Sequence, residues 1–354
     1  MIVIDAHLDI AWSALGWNRD LTLSVPAIRS KECGMTGKNR GTNTVSFPEM
    51  KKGEVAVALA TILARAGDLR DCRLDFRTQE MAYAIGQGQL AYYRIMEDHG
   101  RLRMLKDGKS LESHMEAWQR DASKDTPLGF ILSMEGADPI VFPSQVEAWW
   151  KDGLRVVGPV HYGKNAYAHG TGSPGGLTPS GRDLLKAMEN VRMILDVTHL
   201  ADDSFWQAVD LFKGPVLASH HNCRSLVPGD RQLTDDQIRH LIERDSVIGA
   251  ALDDWMLYPG WIAGTTSNSV VTLERVVDHM DHICQLAGNA RHIAIGSDLD
   301  GGFGTEQSPC DLDTIADLQK LPALLRKRGY AETDIRGVMH GNWLRFFQAA
   351  WQTN

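Results

Sequence analysis

The 354-residue sequence predicts an α/β fold, a closed (β/α)8 barrel of the TIM type. Short apolar runs rich in Val, Ile, Leu and Ala alternate with amphipathic helical patterns, and eight such runs can be counted. Most runs lack polar alternation, which is typical of parallel strands that are covered on both faces. Eight strands favour a closed barrel over an open doubly wound sheet. The absence of a GxGxxG turn after the first run argues against a dinucleotide site.

The strands and helices can be assigned in chain order. Helix start signals such as Thr178-Pro179-Ser180 and Thr234-Asp235-Asp236 precede helical patterns. We expect residues 1–354 to form one domain that ends in helices at about 312–352. The predicted strands are residues 2–9, 54–62, 128–134, 154–161, 193–199, 215–220, 246–252 and 292–298.

Two polar, Gly-rich stretches interrupt the repeat, residues 28–50 after the first strand and 163–180 after the fourth. Loops of this length in a compact domain are usually functional or disordered. Because both follow a strand on the same side of the predicted barrel, we expect them to act as substrate lids.

Composition excludes several classes of protein. The net charge of −8, with no Lys/Arg-rich block, argues against a nucleic-acid partner. No apolar stretch approaches the roughly 20 residues of a membrane span, and the amino terminus lacks the pattern of a signal peptide. The five cysteines are widely spaced and form no CxxC pair, which indicates reduced thiols. We therefore expect a cytoplasmic protein without a membrane partner.

Acidic and histidine side chains stand at the ends of the apolar runs. The carboxyl ends of parallel strands meet at one rim of a barrel, where TIM-barrel active sites lie. Any one of these residues alone would be read as a hydrogen-bonded interior group. Together they indicate a metal site, because buried charges are costly unless they are paired or bind a metal. The residues are His7, Asp9, Glu135, His161, His199, His220 and Asp298.

These residue types suit a binuclear centre. His7 and Asp9 are two positions apart in a strand and so point to the same face, where both can bind one cation. His199 and His220 end neighbouring strands and can hold a second cation. Imidazole and carboxylate ligands favour Zn²⁺ or a similar metal. Glu135 lies between the two pairs, and its two carboxylate oxygens can bridge them.

The remaining strand-end residues suit other roles. Asp298 can take a proton from an attacking water as a general base, and His161 can donate a hydrogen bond to a developing oxyanion. Asp300 is interpreted as an Asx-turn residue beside Gly301-Gly302. His221 should face away from the centre. The roles of His169 and His340 stay open.

At this point the chain resembles a known family, the membrane (renal) dipeptidases and their bacterial relatives in the amidohydrolase superfamily. The resemblance spans most of the chain. Its clearest part runs from LTPSGRDLLKAMENVRMILDVTHLADDSFW through GPVLASHHNCRSL to DRQLTDDQIRHLIER. The segments IDAHLDI, LSMEG, IAIGSDLDGG and GNWLRFF also match in order.

The resemblance implies a zinc-dependent dipeptidase with two Zn²⁺ per chain and a hydroxide bridging them. By position, His7 and Asp9 would hold one zinc and His199 and His220 the other, and Glu135 would bridge the two. His161 would polarise the substrate carbonyl, and Asp298 would be the acid/base aspartate. Arg231 would grip the terminal carboxylate of a small dipeptide, including substrates with a D-residue at that end. The family also implies a homodimer.

Two other functions remain open from the residues alone. One is a related binuclear amidohydrolase that acts on N-acyl amino acids, lactones or phosphoesters. Phosphotriesterase-type centres usually bridge their metals with a modified lysine, whereas Glu135 supplies a carboxylate here. The other is an inactive barrel that serves as a binding protein, which the complete ligand set disfavours.

Overall fold

A computed structural model of the chain describes residues 1–67, 71–121 and 125–352. Within these residues the strands are, in chain order, β1 (Val3–Leu8), β2 (Val55–Ile62), β3 (Arg65–Ala66), β4 (Asp75–Phe76), β5 (Leu102–Met104), β6 (Leu128–Glu135), β7 (Leu154–Gly158), β8 (Ile194–Asp196), β9 (Val216–Leu217), β10 (Ile248–Ala250) and β11 (Ile293–Ile295). Each of the eight predicted strands corresponds to one of these.

The predicted barrel is confirmed. Parallel pairing joins eight strands in the order β10-β11-β1-β2-β6-β7-β8-β9. An isolated parallel bridge between Ala218 and Ile248 brings the two ends of this order together and nearly closes the ring. Every residue of β1, β2 and β6 is buried, as expected for strands with an apolar core on one face and helices on the other.

The helices surround the barrel. They are α1 (Ile10–Gly16), α2 (Val25–Lys31), α3 (Phe47–Lys52), α4 (Gln79–Asp98), α5 (Gly108–Arg120), α6 (Val146–Asp152), α7 (Pro179–Asn190), α8 (Asp202–Leu211), α9 (Asp235–Glu243), α10 (Asp254–Leu257), α11 (Leu273–Ala287), α12 (Leu321–Lys327), α13 (Glu332–Arg336) and α14 (Asn342–Gln352). The predicted start signals act as N-caps: the hydroxyls of Thr178 and Thr234 accept hydrogen bonds from the backbone N–H of Gly181 and Gln237.

Three strands were not predicted. β5 pairs with the first residues of β6, before β7 takes up pairing from Leu132 onwards. β3 and β4 form a separate two-stranded sheet in which Arg65 lies opposite Asp75. Each of these strands is only two or three residues long, so none carries enough apolar periodicity to be recognised in the sequence.

The two stretches predicted as lids contain helix ends and short β-bridges. Residues 28–50 include the end of α2 and the start of α3, and residues 43–46 between them are fully buried. Residues 163–180 form short bridges, among them Lys164 with His169 and Ala168 with Leu177, before α7 begins. Their action as lids stays a prediction.

The last helix, α14, is hydrogen-bonded to β11 and to the residues just before it. Trp343 Nε1 donates a hydrogen bond of 2.9 Å to the carbonyl of Ile295 in β11, and Asn342 Nδ2 donates to the carbonyls of Ala290 and Ile293. Side chains of α14 thus satisfy backbone carbonyls in and just before β11. In the described part of the chain, the helices all fall short of the length and apolar character that crossing a bilayer demands.

Candidate active site

Glu135, the last residue of β6, is the centre of a cluster of strand-end side chains. Its Oε1 atom lies 3.2 Å from Nε2 of His199 and 3.3 Å from Nε2 of His220. On the other side, 3.6 Å separates it from Nε2 of His7 in β1. The same nitrogen of His7 lies 3.7 Å from Oδ1 of Asp9. Side chains from four strands of the barrel therefore converge on one carboxylate at its carboxyl-terminal rim.

Two of the histidines present unprotonated nitrogens to this carboxylate. Nδ1 of His199 lies 3.1 Å from the Thr171 hydroxyl, and Nδ1 of His220 lies 2.9 Å from the Ser219 hydroxyl. Each hydroxyl has a second oxygen within reach of its own proton, so each can accept an N–H from Nδ1 of the histidine. A neutral ring with its proton on Nδ1 turns the lone pair of Nε2 toward Glu135.

The pKa shifts follow from burial and from the neighbouring charges. Burial lowers the pKa of His199 and His220 well below its usual range, which keeps both rings neutral. Burial opposes the ionisation of Glu135, but the electrostatic interactions of its carboxylate with the surrounding histidines outweigh it and hold the pKa of Glu135 well below its usual range. At His7 burial disfavours the imidazolium, yet Glu135 and the other carboxylates raise its pKa to about 10.

This donor set fits a metal centre. Lone pairs of two neutral imidazoles and a carboxylate oxygen repel one another at close range unless a cation lies among them. Nε2 of His7 is also buried and has no hydrogen-bond partner among the described residues. Three groups have ligand atoms within 4.8 Å of one another: His7, Asp9 and Glu135; Glu135, His199 and His220; and His7, His220 and Asp298.

Asp298 and His161 flank the cluster. Asp298 Oδ1 lies 3.7 Å from Nε2 of His7, and its side chain is 15% exposed, so it borders open space. Burial raises the pKa of Asp298 well above its usual range, and the carboxylates of Glu135 and Asp9 add to this shift. Nε2 of His161 lies 3.7 Å from Glu135, and burial lowers the pKa of His161 to about 4. Both are placed to exchange protons or hydrogen bonds with a molecule bound at the cluster.

Arg231 lines the same cavity as Glu135 and Asp298. It is 1% exposed, and its Nη2 donates a hydrogen bond of 3.0 Å to the carbonyl of His220. Its Nη1 is buried and finds no acceptor in the part of the chain that the structure describes. A buried guanidinium with an unsatisfied nitrogen is suited to bind an anionic oxygen from a ligand.

A cavity of about 330 Å³ opens above the cluster. Its volume is at the small end of the roughly 300–1,000 Å³ typical of ligand sites. Aromatic side chains and basic side chains share its walls. The aromatic ones are Trp12, Trp17, Tyr162, Trp255 and Phe303, and the basic ones are Lys38, Arg65, Arg73 and Arg231.

Asp300 has a different role from the Asx turn that the sequence predicts. Its Oδ1 accepts hydrogen bonds from the backbone N–H of Thr44 at 2.7 Å and from the Thr44 hydroxyl at 2.9 Å. Its Oδ2 accepts from the N–H of Val45 at 3.0 Å. Asp300 therefore anchors the segment between α2 and α3 to the end of β11. The local turn is made by the Asp300 carbonyl, which accepts from Gly302 N–H.

The other histidines singled out in the sequence lie outside the cluster. His221 is 3% exposed, and neither ring nitrogen has a hydrogen-bond partner among the described residues. Nδ1 of His169 lies 2.9 Å from the Ser173 hydroxyl within its own loop. His340 lies at the opposite end of β1, where its Nδ1 donates to the carbonyl of Ile2 at 3.1 Å.

Several residues of the cavity were missed in the sequence. Tyr162 directly follows His161, and Trp255 donates from Nε1 to Asp253 at 2.6 Å. Arg65 lies 3.3 Å from Nδ1 of His161. Arg65 ends the apolar run VALATILAR. A search for basic as well as acidic and histidine side chains at the ends of apolar runs would therefore have identified it.

Comparison with known proteins agrees with this geometry. A family model described as membrane dipeptidase (peptidase family M19) matches residues 1–354. An uncharacterised protein from the pqqA 5′ region of Klebsiella pneumoniae is 30% identical over 275 residues, 75% of this chain and 95% of that protein. Further curated relatives are matched over about half of their own length.

Two solved structures share the fold over its whole length. The dipeptidase AC, a metallopeptidase of family M19, has a TM-score of 0.80 at 25% identity and covers 99% of both chains. A metallopeptidase from Rhodobacter sphaeroides, liganded with a phosphinate mimic of L-Ala-D-Ala, has a TM-score of 0.81 at 24% identity and covers 99% of both chains. The chain belongs to the membrane dipeptidase family, peptidase family M19, and is a metal-dependent hydrolase.

Proposed function

We propose that this protein is a zinc-dependent dipeptidase that hydrolyses the amide bond of small dipeptides, including those with a D-residue at the carboxyl-terminal position. The observation that carries the proposal is the convergence of His7, His199 and His220 on Glu135 within 3.6 Å. Nitrogen and carboxylate ligands in this combination suit Zn²⁺.

Two metal ions would be held by five residues. His7 and Asp9 would bind one, His199 and His220 the other, and Glu135 would contact both. The Thr61 hydroxyl donates to Asp9 and would orient that carboxylate, as outer hydrogen bonds commonly do for metal ligands. When bound, the two ions would supply a bridging hydroxide near neutral pH and polarise the scissile carbonyl.

The chain's own residues would bind and orient the dipeptide. Arg231 lines the cavity and has a buried, unsatisfied Nη1, and a bidentate guanidinium–carboxylate pair would fix the free carboxyl terminus there. His161 would donate from Nε2 to the carbonyl oxygen as negative charge develops on it. The small cavity would limit the substrate to short peptides.

Asp298 would carry the proton. Its carboxylate would take a proton from the attacking water and return it to the leaving amine nitrogen. Its Oδ1 lies 3.7 Å from Nε2 of His7, so the carboxylate borders the proposed metal ligands, where the attacking water would be held. Its partial exposure leaves one side of the carboxylate open to the substrate.

A direct test reconstitutes the protein with zinc, measures metal content by inductively coupled plasma analysis, and assays L,L- and L,D-dipeptide libraries. We expect about two zinc ions per chain and hydrolysis of free dipeptides. The panel includes N-acyl amino acids, lactones and phosphoesters. Hydrolysis of one of these compounds without hydrolysis of any dipeptide would overturn the dipeptidase assignment. A chain that binds no zinc would overturn the zinc-dependent mechanism.

The variant Asp298→Asn tests the proton carrier. We expect it to keep both zinc ions and to lose about 100-fold or more in kcat, within the usual range for general acid–base catalysis. The matched control is Asp236→Asn, which removes the charge of an exposed aspartate paired with Arg239. Full activity in Asp298→Asn would remove Asp298 from the mechanism.

A further inference from the structure

We propose that Arg65 and Asp75 are positioning residues that hold His161 as a hydrogen-bond donor toward the metal cluster. The ligand motifs of the sequence include neither residue. Both come from the small sheet of β3 and β4, which is separate from the sheet of the barrel. The inference rests on the proposed function, in which His161 donates to the substrate carbonyl.

The sheet places the two residues in contact. Arg65 and Asp75 are paired across β3 and β4. Nε of Arg65 donates to Oδ1 of Asp75 at 2.7 Å, and Nη2 lies 2.6 Å from the same oxygen. Oδ2 of Asp75 accepts the backbone N–H of Asp71 at 2.8 Å, so both carboxylate oxygens are engaged. With Asp75 only 4% exposed, the guanidinium is held in one orientation.

That orientation decides which nitrogen of His161 carries the proton. Nη1 of Arg65 lies 3.3 Å from Nδ1 of His161. A guanidinium has N–H donors and no acceptor, so Nδ1 must be the acceptor. In the neutral ring the proton is then on Nε2, which lies 3.7 Å from Glu135 and faces the cluster.

The partners of the other histidines show the contrast. His199 and His220 have hydroxyl oxygens at Nδ1, which can accept a proton and leave Nε2 as a lone pair for a metal. His161 has an obligate donor at Nδ1, so its Nε2 is an N–H. The partner of Nδ1 therefore sets the role of each histidine: His199 and His220 can present a lone pair at Nε2, and His161 presents an N–H.

A competing role for Arg65 is direct binding of a substrate carboxylate, because Arg65 lines the cavity. The pairing with Asp75 argues against it, since two of its three nitrogens already contact that carboxylate. The two roles differ in kinetics. A residue that orients a transition-state donor affects kcat, whereas a residue that binds substrate uniformly affects KM.

The test uses two substitutions of similar length in the zinc-loaded protein. Arg65→Met removes the donor, and Arg65→Gln keeps an N–H donor without the charge. We expect Arg65→Met to lower kcat about tenfold or more with KM within about twofold, a loss smaller than that of removing an oxyanion donor outright. Arg65→Gln should recover part of this loss. The matched control is Arg94→Met, which breaks a surface pair with Asp152.

Asp75→Asn tests the anchor. An amide oxygen can still accept from Arg65, so we expect a smaller fall in kcat than in Arg65→Met, with KM unchanged. A dipeptide phosphinate, as a mimic of the tetrahedral transition state, should lose affinity in Arg65→Met by the same factor as kcat/KM. Zinc content should stay at the wild-type value in every variant.

Three results would overturn the inference: a raised KM with unchanged kcat in Arg65→Met, equal losses of kcat in Arg65→Met and Arg65→Gln, or unchanged kcat in both.

Nitrogen-15 NMR of the histidine side chains measures the tautomer of His161 directly and does not depend on activity. The variant His161→Gln assigns the signal. We expect the Nε2–H form in the wild type and a mixture in Arg65→Met. A wild-type Nδ1–H form would refute the positioning role even if the protein hydrolysed no dipeptide at all.

Discussion

At the scale of single residues, the site uses backbone conformations that side chains other than glycine rarely adopt. His199 has φ 68° and Asp298 has φ 58°, both in the left-handed region. Each residue lies three positions past the end of a barrel strand, His199 after β8 and Asp298 after β11, and the left-handed turn redirects the chain where the side chain enters the cluster. Such local strain is common at functional sites and is sustained by the surrounding fold.

Arg231 gives the first prediction at this scale. Replacing it with Met should raise KM for a free dipeptide about 10- to 100-fold with a smaller change in kcat, because a hydrogen bond to a charged group contributes about 1.5–3 kcal/mol. Steady-state kinetics on a dipeptide and on the same dipeptide with an amidated carboxyl terminus measure this.

The amidated substrate is the internal control. The wild type should prefer the free carboxylate strongly, and Arg231→Met should discriminate little between the two. Circular dichroism and zinc content check that loss of the bond from Arg231 to the His220 carbonyl leaves the site intact. A variant that kept the wild-type preference would show that the carboxylate binds elsewhere.

At the scale of elements, α5 is fastened to the barrel by a buried histidine. Nε2 of His114 donates to the carbonyl of Ala56 in β2 at 2.9 Å, and the ring lies against Gly129 in β6. A Cβ at Gly129 would come within 2.5 Å of that nitrogen, so only glycine leaves room for the ring. Nδ1 of His114 is buried and has no partner among the described residues.

A pH dependence of stability follows. Burial lowers the pKa of His114 to about 4, below the 6.5 of an unburied histidine. The folded state therefore binds fewer protons than the unfolded state between these values. The stabilisation is fully present above pH 6.5 and is lost as the pH falls toward 4, with an upper bound of the order of 3 kcal/mol.

Chemical denaturation between pH 4.5 and pH 7.5 tests this. His114→Leu should flatten the slope of unfolding free energy against pH relative to the wild type, whereas His99→Leu, at an exposed site, should leave the slope unchanged. Equal slopes in the wild type and in His114→Leu would contradict the prediction.

The elements also show how far the sequence can be read. The long runs at 54–62 and 128–134 predict β2 and β6 because both faces of these strands are buried, which leaves an unbroken apolar pattern. The strands that carry Arg65 and Asp75, β3 and β4, are two residues long each. A sequence pattern of that length cannot be distinguished from a loop. The hydrogen bonds from Thr44 to Asp300 join residues that are 256 positions apart, and sequence spacing does not encode such a contact.

At the scale of the whole molecule, distant parts of the chain are tied together beside the barrel. Gln319 accepts from the amino-terminal nitrogen of Met1 and donates to the carbonyls of Met1 and Gly53. Asp300 holds Thr44 and Val45 in the same way. These long-range bonds suggest that residues 1–354 unfold together, and the single domain stays a prediction.

Metal binding gives the prediction for the whole molecule. Ions that bind the folded state alone stabilise it, by about 4 kcal/mol at a free concentration 1,000 times the dissociation constant. Chelation should therefore lower the melting temperature in one cooperative calorimetric transition, and added zinc should restore it. Separate transitions would contradict the single domain, and an unchanged melting temperature would contradict a structural contribution from the metals.

The homodimer implied by the family also stays a prediction for the whole molecule. Sedimentation velocity with the zinc-loaded protein should give a mass of about twice the 39.2 kDa of the chain. A single monomeric species across the micromolar range would contradict it.

The cavity of about 330 Å³, with Arg231 at its floor, has a consequence for the polypeptides that surround such an enzyme. In a dipeptidase of the kind that we propose, a cavity of this volume would admit short peptides only, and intact proteins in the same solution would escape hydrolysis.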